Sequence, residues 1–380
     1  MTKKDNPLKQ LERFGQSVWL DYIRRQLLSS AEFERMLSED GLKGMTSNPT
    51  IFEKAIAGSN DYDQQIDELV RQRKEIDEIY EEISIADIRQ AADALRPIYD
   101  RTGAIDGYVS YEVSPLLAND TEGTIAAARR YFKTIGRPNV MIKVPSTPAG
   151  IPAIEELISE GINVNVTLMF SMKHYEDVAE AYIRGIERRL TAGQPVDRIG
   201  SVASFFVSRV DTLADKRLEQ KLEATRDEAV ATLKGKPAVA NTKLVYQRFK
   251  EIFYGKRFAT AKAKGAHVQR PLWASTSTKN PAYSDIKYVE ELIGPDTVNT
   301  IPPETMDAFR DHGNPRAAVE EGLDEARTVV ERMAAIGINL LQLGEELQKQ
   351  GVDAFAKSFE DLRAAIKRRR DAMLAGAKNR

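Results

Sequence analysis

Residues 140–154 read Val-Met-Ile-Lys-Val-Pro-Ser-Thr-Pro-Ala-Gly-Ile-Pro-Ala-Ile. An apolar run carries one lysine in its middle, and a Ser-Thr-Pro-Ala-Gly turn leads into a helical pattern. As a β-strand the run points Val140, Ile142 and Val144 to one face, and Met141 and Lys143 to the other. Burying a lone ammonium on such a strand is costly, because leaving water disfavours the charged form. The cost has a use where a neutral amine is wanted, since a desolvated lysine attacks carbonyls to form a Schiff base. The plain alternative, a lysine snorkelling from an edge strand, stays open on this stretch alone.

Working outward, the strand-then-helix unit recurs in both directions. Upstream lie strand patterns at 17–21 (SVWLD), 44–52 (GMTSNPTIF) and 107–115 (GYVSYEVSP); downstream they lie at 162–171, 199–209, 271–276 and 298–302. Helical periodicity fills the intervals at 7–14, 31–41, about 60–80, 84–101, 121–135, 151–161 and 175–192. Residues 212–266 are long for one connection and predict two or three helices, and the chain from 315 on reads as helical. Eight strands, each followed by helices, predict an α/β protein with a parallel sheet closed into a (β/α)8 TIM barrel with additional helices. The expectation is one barrel domain over 1–380, with a helical insertion at about 212–266 and C-terminal helices at about 315–374. A doubly wound sheet is the alternative, but neither G-x-G-x-x-G nor G-x-x-x-x-G-K-[ST] accompanies it.

Composition narrows the chemistry. The chain has 55 basic and 57 acidic residues for a net charge of −2, so no global field draws it to nucleic acid or anionic lipid. It has no cysteine, which excludes disulfides, thiolate metal sites and cysteine nucleophiles. His174, His267 and His312 are far apart, and no H-E-x-x-H is present, which argues against a metal site or a histidine triad. The N-terminal stretch lacks an apolar h-region, and no run approaches the roughly 18 apolar residues of a membrane span. A cytoplasmic protein without nucleic-acid or membrane partners is expected. The basic tail KRRRDAMLAGAKNR (367–380) reads as a solvated helix end.

In a barrel, alternate side chains face the interior and the C-terminal strand ends build the active site. Polar residues at period two then become informative. The fifth strand places Asn163, Asn165 and Thr167 on one face, and the third places Ser110 and Glu112 opposite Val109, Tyr111 and Val113. The first strand ends at Asp21, the second at Ser47-Asn48, and the sixth carries Ser204 and then Arg209. Ser275 and Lys279 follow the seventh strand, where barrels often bind phosphate. Each has a plain reading: Asp21 as a helix N-cap, Asn48 before proline as a turn residue, Thr167 as a strand β-branch, Arg209 as the ion-pair partner of Asp211. Glu112 is harder to set aside, because a buried glutamate needs a partner. Together the set suits carbon–carbon chemistry. A Schiff-base lysine is the electron sink, one carboxylate takes a proton from a hydroxyl β to the iminium, and a second acid/base handles water.

Three stretches then carry a resemblance: T-S-N-P-T after the second strand, I-K-V-P-S-T-P-A-G-I-P-A around Lys143, and I-N-V-N-V-T-L-M-F-S at 162–171. In order and spacing the chain resembles the transaldolase family along nearly its whole length, specifically its longer bacterial branch. The resemblance implies transfer of a dihydroxyacetone unit from sedoheptulose 7-phosphate to glyceraldehyde 3-phosphate, giving erythrose 4-phosphate and fructose 6-phosphate. That reaction belongs to the non-oxidative pentose phosphate pathway and needs no metal or organic cofactor. The resemblance further implies Lys143 as Schiff-base nucleophile, Asp21 as the acid/base of bond cleavage, and Glu112 with Thr167 as holders of a catalytic water. It implies Asn48, Asn165 and Ser204 as hydrogen-bonding groups for the dihydroxyacetone moiety, and Arg209 and Ser275 as phosphate ligands. After the seventh strand the family commonly has A-S-F-R-N, whereas this chain has A-S-T-S-T-K-N. The loop is two residues longer, and Lys279 is the candidate for the second phosphate cation. Fructose 6-phosphate aldolases on the same scaffold carry glutamine and tyrosine where Glu112 and Phe206 stand, which favours transfer over free aldol cleavage. A non-catalytic sugar-phosphate-binding barrel is the remaining alternative. A monomer or homodimer is expected.

Overall fold

The computed structural model describes residues 6–378, with side chains described to residue 374. Its strands are β1 (Gln16–Leu20), β2 (Leu42–Thr46), β3 (Tyr108–Glu112), β4 (Val140–Pro145), β5 (Val164–Met169), β6 (Ser201–Phe206), β7 (Arg270–Ala274) and β8 (Thr297–Ile301). They pair in chain order as one closed parallel barrel. β1 meets β8 from Gln16 opposite Thr297 to Leu20 opposite Ile301, and this seam closes the ring. Nearly every strand residue is buried, as a parallel sheet packed between its own interior and an outer ring of helices requires. No helix among the described residues is long and apolar enough to cross a membrane.

Local chemistry sets the helix ends. Asp120 accepts from the Gly123 amide to start the helix Thr121–Ile135, which Gly136 stops in a left-handed conformation. Ser171 starts Met172–Thr191 in the same way through the His174 amide. In the turn after β4, a Cβ on Gly150 would stand 1.9 Å from the Pro145 carbonyl oxygen. Only glycine lets the helix Gly150–Glu160 begin so close to the end of the lysine strand.

Several boundaries differ from the sequence reading. The predicted helix at 60–80 is two pieces, Asp63–Arg71 and the start of a long helix, Ile76–Arg101. The break falls at Arg73, which takes a left-handed φ of 60°, and the long helix restarts with a capping box between Glu75 and Glu78. β2 stops at Thr46, close to the expected end at Ser47-Asn48, and a helix Pro49–Ala57, not separately expected, follows it. Four helices lie between β6 and β7 (Ser208–Thr225, Glu228–Ala231, Pro237–Phe253 and Lys256–Ala263), against two or three expected. Residues 315–322 are not helical; helices Leu323–Ala335 and Leu340–Lys378 follow.

The described part of the tail is a solvated helix end, with Lys367 and Arg368 exposed and a tie to the body of the protein. Arg369 pairs with Asp63 and donates to the Ser59 carbonyl at 2.6 Å, tying the last helix to the junction between helices Pro49–Ala57 and Asp63–Arg71. The side chains of residues 375–380, which the tail reading included, lie outside those described.

Two features position the site. The registers put Glu112 of β3 opposite Lys143 of β4, and Lys143 opposite Asn165 of β5, so three polar residues share one interior layer. In β5, Leu168 takes a left-handed φ of 61° and the pairing with β6 shifts between Val166 and Met169. A non-glycine residue held there costs about 1–3 kcal/mol, and such costs gather at functional sites.

Candidate active site

At the C-terminal mouth of the barrel is a cavity of about 450 Å³. Its lining contains Asp21, Asn48, Lys143, Asn165, Thr167, Ser204, Phe206, Arg209, Ser275 and Lys279. Of the residues singled out from sequence, Glu112, Ser47, Ser110 and Asn163 do not line it. Glu112 stands opposite Lys143 on the neighbouring strand.

Lys143 is 5% exposed. Its Nζ donates to the Ser47 carbonyl at 2.8 Å and stands 3.3 Å from Glu112 Oε2. The second contact falls short of hydrogen-bond geometry, so Glu112 Oε2 is buried without a hydrogen-bond partner, as is Thr167 Oγ1. Two orphaned polar atoms of this kind are expensive unless something else enters to satisfy them. Burial pushes the Glu112 carboxyl above its ordinary pKa, and the neighbouring ammonium of Lys143 opposes that rise.

Asp21 follows β1 directly. It caps no helix, since the next one, Arg25–Leu28, begins after Arg24. Its Oδ1 accepts from Thr46 Oγ1 at 2.7 Å, and Thr300 backs Thr46 at 2.7 Å. Burial raises the Asp21 pKa, while the Thr46 hydrogen bond and the charges of Lys143, Lys279 and Arg209 act against the rise. Around the Lys143 amine the site therefore holds two carboxyls whose burial works against full ionisation.

The remaining polar groups form a ladder. Ser204 Oγ donates to Asn165 Oδ1 at 2.6 Å, and Asn165 Nδ2 donates to Ser110 Oγ at 2.9 Å. This fixes the Asn165 amide and leaves one N–H and one lone pair for a ligand. Asn48 fills its plain role as well, for its Oδ1 caps Pro49–Ala57 through the Ile51 amide at 2.9 Å. Its side-chain NH2 remains at the cavity.

Arg209 is not the partner of Asp211. Asp211 accepts from the Ala238 amide at 2.7 Å and Tyr288 at 2.8 Å and pairs with Lys287 at 3.3 Å, anchoring the β6–β7 helices. Arg209 lies over the Phe206 ring at 5.7 Å and makes no ion pair among the described residues. Burial lowers its pKa, with Asp21 opposing. An unpaired, partly desolvated guanidinium on a cavity wall is suited to a bidentate anion. Ser275, at φ 56°, lies 3.0 Å from Ser208 Oγ on the same side, and exposed Lys279 donates to Ser277 Oγ at 2.6 Å.

Sequence reasoning missed several lining residues. Thr46 was in reach, standing at the end of β2 directly before Ser47-Asn48. Lys54 and Phe355 were not. Phe355 comes from the C-terminal helix Leu340–Lys378, whose amphipathic pattern marks an apolar face without saying what it covers. Among the described residues, no group of three or more His, Asp or Glu side chains is placed to hold a metal ion.

Comparison with known proteins agrees over the whole length. A family model described as Transaldolase/Fructose-6-phosphate aldolase matches residues 18–366. The transaldolase of Trichodesmium erythraeum is 48% identical over 363 residues, covering 94% of this chain and 96% of that one. Transaldolase 2 of Nostoc punctiforme is 47% identical over 364 residues, with 94% and 96% covered. The transaldolase of Saccharopolyspora erythraea is 44% identical over 372 residues, with 98% and 99% covered.

Proposed function

The chain belongs to the transaldolase/fructose-6-phosphate aldolase family and is a transferase of the transaldolase kind, and from that premise we propose that Lys143 carries the Schiff base. The observation that supports this most is the buried Lys143–Glu112 contact at 3.3 Å, opening onto a cavity that also holds Asp21. In its neutral form, Lys143 attacks the C2 carbonyl of a ketose phosphate and gives a carbinolamine. Glu112 and Thr167, each with a buried unpaired oxygen, hold the water through which protons move as hydroxide leaves and the iminium forms. Asp21 takes the proton of the C4 hydroxyl; the C3–C4 bond breaks, and its electron pair moves to the iminium as an enamine. The shortened aldose departs. The enamine then attacks the acceptor aldehyde, Asp21 returns the proton to the new hydroxyl, and hydrolysis frees Lys143.

Asn48, Asn165 and Ser204 hold the three-carbon unit while the enamine waits. Arg209, helped by Ser275 and Lys279, binds the phosphate of donor and acceptor and sets the reach of the chain that can enter. The substrates of this reading are sedoheptulose 7-phosphate and glyceraldehyde 3-phosphate, yielding erythrose 4-phosphate and fructose 6-phosphate. Phe206, packed at a tilt against Phe170 with ring centroids 5.3 Å apart, offers no hydroxyl to a second water, which favours transfer over release of free dihydroxyacetone.

The test is borohydride reduction in the presence of fructose 6-phosphate, followed by intact mass and peptide mapping. One dihydroxyacetone unit on Lys143 is the expected product. An intact, folded protein without adduct would overturn the Schiff-base assignment and leave a sugar-phosphate-binding barrel.

A further inference from the structure

The left-handed backbone at Leu168 directly follows Thr167, and it is held from outside the barrel. Gln348, near the start of the C-terminal helix Leu340–Lys378, is 6% exposed. Its Nε2 donates to the Leu168 carbonyl at 3.2 Å, the Ser146 carbonyl at 3.1 Å and Ser146 Oγ at 3.0 Å. Ser146 in turn donates from its amide to the Thr167 carbonyl at 2.8 Å and from its Oγ to the Leu168 carbonyl at 3.1 Å. One amide group therefore latches the end of the lysine strand to the end of the threonine strand.

The helix is shaped for this place. Residues 344, 348, 351 and 355 fall on one face at helical spacing. A Cβ on Gly344 would stand 2.8 Å from Ser171 Cβ, and one on Gly351 would stand 2.7 Å from Leu168 Cδ2. The two glycines let the helix lie close enough for Gln348 to reach the carbonyls, and Phe355 at the end of the stripe lines the cavity. His174 Nε2 meets Glu345 at 3.1 Å beside the same stripe.

We propose that Gln348 is a positioning residue for the water-handling steps, acting through Thr167. By holding the Leu168 carbonyl it keeps the β5 bulge in the form that turns Thr167 Oγ1 inward on the face shared with Lys143. The inference rests on the assignment of Thr167 and Glu112 to the catalytic water. The hydrogen bonds of Gln348 go to Ser146 and Leu168, at the ends of β4 and β5, and not to β1 or Asp21, so the carbon–carbon step is outside its influence. Formation and hydrolysis of the imine are the steps that depend on it.

The experiment is a double-mutant cycle on the full-length enzyme. Gln348→Met keeps the side-chain length and removes the donor; Thr167→Val keeps the shape and removes the hydroxyl. Each variant and the double variant are quenched with borohydride at short times after mixing with fructose 6-phosphate, and the Lys143 adduct is measured by mass. Gln348→Met is expected to slow imine formation about tenfold to a hundredfold, the scale of a misplacement of about 1 Å. KM and the rate of aldehyde release from preformed imine should stay within about twofold. In the Thr167→Val background the same substitution should add less than about a threefold loss, because it acts through a group already removed.

Imine formation at the wild-type rate, an equal loss in both backgrounds, or an equal slowing of aldehyde release would overturn the proposal. Thr167→Val forming imine at the wild-type rate would instead bring down the water assignment on which it rests. If Gln348→Met does not fold, Gln348→Asn, which stays polar but falls one methylene short of the carbonyls, goes through the same cycle with the same criteria.

Discussion

At the N-terminal mouth of the barrel, Arg270 donates to Asp106 Oδ1 at 2.8 Å, to Ser17 Oγ at 2.8 Å and to the Ile105 carbonyl at 2.6 Å. Asp106 also accepts from Ser17 Oγ at 2.7 Å and Trp19 Nε1 at 3.1 Å. At the C-terminal mouth, Lys143 and Glu112 are buried just as deeply, yet they touch at 3.3 Å without a proper hydrogen bond, and Glu112 Oε2 and Thr167 Oγ1 go unsatisfied. The same barrel thus holds two buried ion pairs, one saturated with partners and one starved of them. A saturated pair holds strands in register and has no capacity left for chemistry. A starved pair destabilises the protein and keeps its donors and acceptors open to a ligand.

The sharpest way to break this contrast is at Lys143. Lys143→Ala should lower turnover by on the order of 10⁴-fold or more while the protein folds normally. Steady-state assay with a thermal melt measures both, and appreciable activity would remove the lysine from the reaction. Next in size is Asp21→Asn, which should still form the imine but lose bond cleavage by about 10²–10⁴-fold, read as aldehyde release in a single turnover.

The same variant tests the stability side. Burial raises the folded-state pKa of Asp21. The stability it contributes is complete below the unfolded carboxyl value and is lost as pH rises through the folded value. Above the unfolded carboxyl value the raised pKa therefore makes Asp21 a cost to stability, so at neutral pH Asp21→Asn should melt higher by on the order of a degree or two, with the gain fading as the medium is acidified. A lower melting temperature at neutral pH would contradict the contrast between the two mouths.

The opposite mouth supplies the converse. Arg270→Met leaves the Asp106 carboxylate buried without its cation, which should cost about 3–5 kcal/mol in denaturant unfolding. KM and turnover of the protein that remains folded should be unchanged. Smallest is Arg209→Ala, expected to raise KM for phosphorylated sugars about tenfold to a hundredfold, the worth of a charge-assisted hydrogen bond. An unchanged KM would place the phosphate elsewhere.

The lysine strand and its seven companions were legible because each joins an apolar run to a turn and a helix. Glu112 and Asn165 were legible because period two exposes a polar residue on an interior face. What stayed hidden depends on contacts remote in the chain. No glycine or proline announces the break at Arg73, where an arginine takes a conformation usually left to glycine. Nothing near Arg209 says that Asp211 will turn toward Tyr288 and Lys287, about 75 residues on. The basic run at the chain's end is solvent-facing as it reads, but nothing in it singles out Arg369 as the residue that meets Asp63. Gln348 is one glutamine in a polar helix until Ser146 and Leu168 are seen beneath it.

The β1–β8 seam gives the protein a history as well as a shape. During synthesis β1 emerges early, but its second neighbour is residues 297–301. At roughly 5–20 residues per second, the ribosome leaves that edge open for many seconds. Through that interval Val18, Trp19 and Leu20 are a short, apolar, half-paired strand of the kind that joins wrong partners. Closure is then a contact between the two most distant parts of the sheet, so the barrel forms late and as a whole. A nascent chain stalled before residue 297 would carry Lys143, Glu112 and Asp21 with the ring that fixes the barrel mouth still open.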